Sequence, residues 1–380
     1  MARRRPRRLR GNAAITLTPL LLIPAGYQLV ALAATLRWRF APRPQAESLP
    51  PISILKPIRG TDPGFWDALR SHAELDYPDY EILFCIGEFD DPAIPEIQRL
   101  IAEYPGRPMR LIERTTEAPN RKVGSLIDLA REARHDVIVL NDGDIAVPRD
   151  YLRAIAAQLD VAGTGLVTAL YRADGFHAPG KFEALGVSTD FTPSTLVAPF
   201  AGIEEFGMGS TLALTRETLE AAGGFEAIAG YIADDYQLGK NVYALGLRVA
   251  LLPFAVSTSL NASTFRQAWE HQLRWARTVR VSRGGLVGYV GLPVTHATLW
   301  ALIAALAGHP AAGAMLFALR LLCAVSAALA VGDRPALRRM WLLPLRDLWS
   351  TAVWMAGLVG HTVRWGPYLL RLTPDGRIER

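Results

Sequence analysis

Residues 136–145 read D-V-I-V-L-N-D-G-D-I, an aliphatic run that ends abruptly in Asn141, Asp142, Gly143 and Asp144. Residues 137–140 are valine, isoleucine or leucine throughout, which suits a strand buried on both faces of a parallel sheet. Gly143 lets the backbone turn where the two carboxylates emerge. Open α/β sheets bind ligands just beyond the carboxyl ends of their strands, so Asp142 and Asp144 suit a divalent cation that holds a phosphate. Hard cations such as Mg²⁺ typically take one or two carboxylates plus the phosphates of the substrate. The plainer alternative is a surface turn rich in Asp and Gly. Helix-like sequence follows at once, over 148–159, and favours the ligand reading.

On the N-terminal side of this run the pattern alternates. Strands are expected at 52–55, 81–86 and 109–112, and helices at 62–73, 94–104 and 122–133. This βαβ alternation predicts an α/β fold over 50–260, with a mostly parallel sheet and helices on both faces. No Gly-rich dinucleotide fingerprint follows the first strand, where the turn reads K-P-I-R-G (56–60). Charged groups gather where strands should end. Glu88, Asp90 and Asp91 follow the second strand, and Asn120, Arg121 and Lys122 precede a helix whose N-terminal dipole attracts phosphate. Asp234 and Asp235 open another helix, where paired aspartates are as readily an ordinary N-cap. His271, Arg274 and Trp275 lie in a basic, aromatic segment at 261–285. Its arginines (Arg266, Arg274, Arg277, Arg280, Arg283) read most simply as those of an amphipathic helix at lipid headgroups.

The rest of the chain is rich in apolar runs, in keeping with 50% hydrophobic residues overall. Residues 13–36 carry no charge and are enough to cross a hydrocarbon core of about 30 Å at about 1.5 Å per residue. The run lacks a convincing cleavage site, so it reads as an uncleaved anchor behind a basic segment at 1–12. Three more apolar stretches, 286–307, 311–331 and 340–360, fill most of the C-terminal part and precede a basic tail at 361–380. Arg320, Arg346 and Asp347 fall inside these stretches and should face a partner or a cavity, so the last stretch also suits an interfacial or re-entrant segment. Orientation signals conflict. Arg334, Arg338 and Arg339 place the central domain on the cytoplasmic side, whereas Arg3, Arg4, Arg5, Arg7, Arg8 and Arg10 outnumber Arg37, Arg39 and Arg43 and argue the opposite. A misassigned start, or a first helix that does not span, would reconcile them. The formal charge of +5 suits anionic headgroups and a diphosphate better than nucleic acid. Cys85 and Cys323 offer no disulfide framework.

Together these segments resemble the lipid glycosyltransferases related to ceramide glucosyltransferase, and within that group the bacterial hopanoid-associated enzymes. The family pattern of three separated aspartates and a (Q/R)xxRW motif is met by Asp91, Asp142, Asp235 and Arg274-Trp275. Further likeness runs through I-L-K-P-I-R-G (54–60), N-R-K-V (120–123), G-M-G-S-T (207–211), A-G-G-F (222–225) and L-R-D-L (345–348). His271 departs from the pattern by standing where Gln or Arg is usual. The resemblance implies a GT-A fold, an inverting mechanism, a UDP-sugar donor (glucose or N-acetylglucosamine) and Mg²⁺ or Mn²⁺. It implies a membrane lipid acceptor such as a ceramide or hopanoid, with the catalytic domain in the cytoplasm, where UDP-sugars are made. Asp235 would be the general base and Asp142 with Asp144 would hold the metal. Asp91, Lys56, Lys122, His271, Arg274 and Trp275 would surround the nucleotide sugar, and the 187–209 segment would dip toward the bilayer as an acceptor rim. Competing expectations are a processive polysaccharide synthase and an inactive membrane scaffold or lipid sensor on the same fold. Too few spans for a polymer channel weigh against the first, and intact Asp142, Asp144 and Asp235 against the second. Oligomeric state leaves no mark in the sequence.

Overall fold

A computed structural model of the chain describes residues 12–88, 90–366 and 368–379; the arginines at 3–10 lie outside the described residues. A long helix, α1 (Asn12–Arg39), leads into β1 (Ile52–Pro57), α2 (Phe65–Ala73), β2 (Tyr80–Ile86), α3 (Ile94–Glu103), β3 (Met109–Glu113) and α4 (Arg121–Glu132). Next come β4 (Val137–Leu140), α5 (Tyr151–Leu159), β5 (Thr164–Gly175), α6 (Ala178–Gly186), β6 (Leu212–Thr215), α7 (Asp234–Ala244) and β7 (Arg248–Leu260). These seven strands form one sheet in the order β3-β2-β1-β4-β6-β5-β7. The pairs β1–β2, β2–β3, β1–β4 and β5–β7 are parallel, and β6 runs antiparallel to β4 and β5.

The aliphatic strands alternate sides with the period of two that a pleated strand imposes. Ile52, Ile54, Val137 and Val139 pack with Phe65 and Leu69 of α2, Ile97 of α3 and Leu152 of α5. Leu55, Ile138 and Leu140 pack on the other face with Val123 and Leu126 of α4 and Leu238 and Val242 of α7. Fully burying such a side chain stabilises by roughly 1.5–3 kcal/mol. The central strands β1 and β4 are therefore fixed from both faces, and the loops at their carboxyl ends start from a rigid base.

Beyond the sheet lie α8 (Phe265–Ser282), α9 (Ala297–Leu306), α10 (Pro310–Ala330) and α11 (Leu343–Gly357). Two helical segments, Leu20–Arg39 and Pro310–Ala330, are long and apolar enough to cross a membrane. The stretch at 286–307 is not one straight span, because it bends by 68° between Gly288–Thr295 and Ala297–Leu306. At about 1.5 Å per residue, the 15 residues of α11 fall short of a core of about 30 Å, in keeping with the interfacial or re-entrant alternative for 340–360.

Two C-terminal segments differ from their expectation. Two of the arginines of α8, Arg277 and Arg280, turn inward to backbone carbonyls. Arg277 donates to the carbonyl of Val359 at 3.1 Å, and Arg280, itself buried, donates to that of Gly357 at 2.8 Å and to that of Gly360. Cations at a helix C-terminus satisfy its free carbonyls and its dipole, so these two clamp the end of α11. The expected tail at 361–380 is folded as well. It forms a three-stranded antiparallel sheet of β8 (Thr362–Trp365), β9 (Tyr368–Leu372) and β10 (Ile378–Glu379). Ile232, Val281, Val363, Leu372 and Ile378 form a small apolar core beneath it.

Candidate active site

Where β4 ends, Asn141 is fully buried and its amide Nδ2 donates to the Tyr151 hydroxyl at 2.7 Å and the Ser210 carbonyl at 3.0 Å. A buried polar group held this way fixes the chain direction for the next residue. Asp142 then donates its N–H to the Gly209 carbonyl at 3.1 Å, and its own carbonyl accepts from Lys56 Nζ at 2.9 Å. Gly143 does not take a positive φ, so it is not needed for a left-handed turn. It provides close approach instead, since a Cβ there would lie 3.0 Å from Ile58 Cδ1. Asp144 is held by β7, whose Thr258 hydroxyl and Ser259 N–H (3.2 Å) both donate to Oδ2. Burial, then the nearby Asp142, raises the Asp144 carboxyl above its ordinary range.

Lys122 knits the acids together. Its Nζ lies 2.7 Å from Asp142 Oδ1 and 3.0 Å from Asp234 Oδ2. Its place at the start of α4 is fixed by Asn120, whose side chain caps the helix by accepting from the N–H groups of Lys122 and Val123. Burial alone would lower the Lys122 ammonium, but Asp142, Asp234 and Asp235 outweigh it and hold the group well above the usual lysine range. Lys56 is also fully buried but has no such pairing, and desolvation pulls it down to about 8.

Neither Asp234 nor Asp235 is the cap of α7, which is Ala233. Asp235 Oδ2 accepts from the Gly209 N–H at 2.7 Å and Oδ1 from the Tyr236 N–H at 2.8 Å. Burial and then repulsion from Asp234 raise its carboxyl to about 6, against the pull of Lys122. Gly209 is required by crowding, because a Cβ there would come within 2.8 Å of Asp142 Oδ2.

Two cavities meet at these acids. One, of about 600 Å³, is lined by Arg59, Gly60, Asp91, Arg114, Arg121 and Tyr368; the other, of about 720 Å³, by Asp235, Tyr171, Glu183, His271, Arg274 and Trp275. Lys122, Asp142, Asp144 and Trp365 line both. Of the nine residues expected from the family resemblance to hold the metal or sugar donor or act as base, eight thus line one or both of these adjoining cavities, and Lys56 is buried and donates to the Asp142 carbonyl. Asp91 is engaged by backbone: both its oxygens accept from Gly60 N–H at 3.0 Å, and Oδ1 also accepts from Ala93 N–H at 2.9 Å. His271 Nδ1 stands 2.6 Å from Glu183 Oε1, and its ring lies 4.7 Å from that of Trp275. Arg274 reaches over the Trp365 ring at 5.9 Å, and burial lowers its guanidinium.

Glu183, Thr258, Tyr171 and the C-terminal pair Trp365 and Tyr368 were not anticipated, and Asp234 was given no role beyond opening a helix. Thr258 and Trp365 sit in strands whose contacts with Asp144 and Arg274 are purely tertiary, so no local pattern marks them. The role of Asp234 follows from its 3.0 Å contact with Lys122, a tertiary relationship that no local pattern marks.

Among the described residues no group of three His, Cys, Asp or Glu side chains converges as in an all-protein metal cage. The two carboxylates nevertheless fit a cation that arrives with its substrate. Asp142 Oδ2 and Asp144 Oδ1 accept no hydrogen bond among the described residues, and both acids face the two cavities. That donor set is the sparse, carboxylate-plus-phosphate kind preferred by Mg²⁺.

The sheet order, with acids at its carboxyl edge, is that of a GT-A-type fold, and comparison with known proteins identifies the chain as a glycosyltransferase. The chain belongs to glycosyl transferase family 21, whose family model matches residues 16–378. Ceramide glucosyltransferase 1 of Caenorhabditis elegans is 28% identical over 210 residues, 54% of this chain and 44% of the relative. Ceramide glucosyltransferase 3 of the same organism is 28% identical over 236 residues, 57% of this chain and 49% of the relative. The chain therefore spans about half the length of these curated relatives. A mannosyltransferase of Pyrobaculum calidifontis, solved with GDP-Man and Mn2+, shares the fold with a TM-score of 0.53 and 20% identity, over 92% of this chain and 97% of its own.

Proposed function

We propose that this glycosyltransferase moves one sugar from a UDP-sugar to a hydroxyl of a membrane lipid, with inversion at the anomeric carbon. The observation that carries the reading is the junction of the two cavities at Asp142 and Asp144, with Asp235 on one side and the Arg59–Asp91 wall on the other. The first cavity takes the nucleotide, against Asp91, Arg59 and Arg121. Lys122 and Arg274 face the diphosphate and offset its charge, and Lys56 holds the Asp142 backbone in place from below. Asp142 and Asp144 would hold Mg²⁺ or Mn²⁺, which would supply Lewis-acid neutralisation of the leaving diphosphate. The second cavity takes the acceptor. Tyr171, Phe191 and Trp275 form its apolar wall, with ring centroids 5.0–6.4 Å apart. Asp235 accepts the proton of the acceptor hydroxyl as its oxygen bonds to the anomeric carbon and the bond from that carbon to the diphosphate oxygen breaks. Two backbone N–H groups orient its carboxylate for that role. Burial keeps its basicity near neutral, where a general base works best.

The names of the curated relatives favour glucose as the sugar and ceramide as the acceptor, with N-acetylglucosamine and hopanoids as the alternatives. UDP-sugars are made in the cytoplasm, which places the domain on that side of the bilayer, with α1 and α10 as anchors. The decisive experiment incubates purified protein with UDP-glucose, UDP-N-acetylglucosamine or GDP-mannose, a total lipid extract and Mn²⁺, and identifies products by mass spectrometry. A glycolipid formed with a UDP-sugar supports the reading. Transfer from GDP-mannose alone, or to no lipid, overturns it.

A further inference from the structure

Helices α1 and α10 run parallel and meet the catalytic domain at the same level. Leu21 and Ala25 of α1 pack with Leu316 of α10, and further along Ala34 and Trp38 pack with Val331, just past the end of α10. Both exits are tied to the large sheet. The Trp38 indole donates to the Leu252 carbonyl of β7 at 2.9 Å, and Arg172 of β5 donates to the Gly332 carbonyl at 3.3 Å. Around these exits the chain is basic. Arg37, Arg39 and Arg43 stand at the end of α1, and Arg334, Arg338 and Arg339 follow α10, against a single acid in 37–43 and 332–342, Asp333. Asp333 is buried and already accepts from the Ser188 hydroxyl and the Ala336 N–H. None of the six arginines makes an ion pair among the described residues, and all but the half-buried Arg339 are exposed. Phe40 and Trp341, each 76% exposed, and Phe200, 54% exposed, stand among them. The Arg37 and Arg39 guanidinium groups lie 5.8 Å from the Phe200 and Phe40 rings.

Six neighbouring cations without counter-charges repel one another, and an external anionic surface removes that cost. Aromatic side chains at the mouth of apolar helices suit the headgroup layer of a bilayer, and cations at that level are drawn to anionic phospholipid. We propose that this belt docks the catalytic domain on a leaflet rich in anionic phospholipid, with Phe40, Phe200 and Trp341 seated among the headgroups. Arg277 and Arg280 of α8 take no part, being committed to the carbonyls of α11 and the residues after it. Phe200 lies between Thr195 and Phe206, which both line the second cavity. Docking therefore holds the mouth of that cavity against the leaflet from which a lipid acceptor enters. The link to the cavity rests on the lipid-transfer reading; the selection of headgroups by the belt does not.

The test reconstitutes the full chain in phosphatidylcholine nanodiscs with a trace of spin-labelled phosphatidylglycerol or spin-labelled phosphatidylcholine, and reads the immobilised fraction of each by electron paramagnetic resonance. The wild type should hold phosphatidylglycerol about three- to tenfold more strongly, since one arginine at an anionic surface is worth about fivefold. Salt at about 1 M, where the Debye length is about 3 Å, should bring the preference close to parity. Arg37→Gln, Arg39→Gln, Arg338→Gln and Arg339→Gln combined should do the same at low salt. In discs that mix the two phospholipids the acceptor KM of the wild type should be about threefold lower than in phosphatidylcholine alone, and that of the combined variant should not change. Equal immobilisation of both lipids by the wild type, or a preference that survives salt and the four substitutions, overturns the inference. The salt titration of the wild type decides the matter if the combined variant does not fold. A headgroup preference with the same acceptor KM in both discs overturns the link to the cavity mouth. A headgroup preference with transfer to no lipid leaves the belt standing and overturns the lipid-transfer reading.

Discussion

Lys122 and Asp142 stand 2.7 Å apart, and the same ammonium reaches Asp234 at 3.0 Å. One cation therefore ties the exit of β4 to the helix that carries Asp235. Lys122→Met removes it and leaves three acids facing each other in a buried space. Loss of a positioned charge that faces a leaving diphosphate typically lowers kcat by about 10²–10³, and that loss is expected here. Steady-state rates with donor and acceptor both saturating measure it. Lys122→Arg should recover little, because the planar guanidinium cannot fill the point between two carboxylates as an ammonium does. Activity near that of the wild type in Lys122→Met would remove Lys122 from the site.

The Asp235 carboxyl, raised to about 6 by burial and by Asp234, works as a base only when ionised. Its protonated form dominates below that value, so kcat should rise with pH through about 6 and level off above 7. Asp142 is one of the charges that raise it. The divalent cation is required as well, so removing it with a chelator should abolish transfer. Asp235→Asn is expected to cost about 10²–10⁴ in rate while UDP binding, followed by calorimetry, persists. A profile flat from pH 5 to 8 would reject the assignment of the base.

Tyr368 sits between two guanidinium groups, Arg59 at 4.8 Å and Arg121 at 4.9 Å from its ring, on the edge of the nucleotide cavity. Each such contact contributes roughly 0.5–1 kcal/mol at an exposed site. Tyr368→Ala frees both arginines, so the KM for the donor should rise about three- to tenfold with kcat changed less than twofold. Fluorescence titration with UDP checks the binding half of this expectation. Unchanged donor affinity would mean that the C-terminal sheet only packs against the domain.

How far the sequence could be read follows from how local each signal is. The strand at 137–140 and its Asp-Gly-Asp end were legible because burial on two faces demands an unbroken aliphatic run. Asp91, Asp235 and Arg274-Trp275 were legible as a spaced set rather than singly. The antiparallel β6 was not, because four residues at 212–215 carry no period of their own and pair through tertiary register with Val137–Leu140. Nor was the sheet formed by 362–379, whose arginines suggested only a basic tail, although Val363 and Ile378 are buried in it. Arg277 and Arg280 of α8 were not legible for a related reason. An arginine that clamps a helix C-terminus and one that meets a phosphate headgroup look the same in one dimension.

Arg320 and Asp347 form the deepest ion pair described in the chain, 2.7 Å apart with each side chain 2% exposed. The pair joins four elements. Arg320 comes from α10 and Asp347 from α11, the Thr298 hydroxyl of α9 donates to Asp347 at 2.6 Å, and Arg320 Nη1 donates to the Thr189 carbonyl at 2.7 Å. That carbonyl belongs to the π-helical turn Val187–Phe191, which precedes the apolar rim of the acceptor cavity. Removing one partner strands a buried charge, so Arg320→Met should destabilise by about 3–5 kcal/mol. Replacing both, as in Arg320→Met with Asp347→Leu, should recover most of that stability, since a well-packed apolar pair is often neutral relative to a buried ion pair. The double variant should still lose acceptor affinity, because the Thr189 carbonyl loses its donor and the turn beside the cavity loosens. Thermal unfolding in detergent, run as a double-mutant cycle, separates the two effects. If the single and double variants unfold alike, the pair is not coupled and the four elements are held by apolar packing alone.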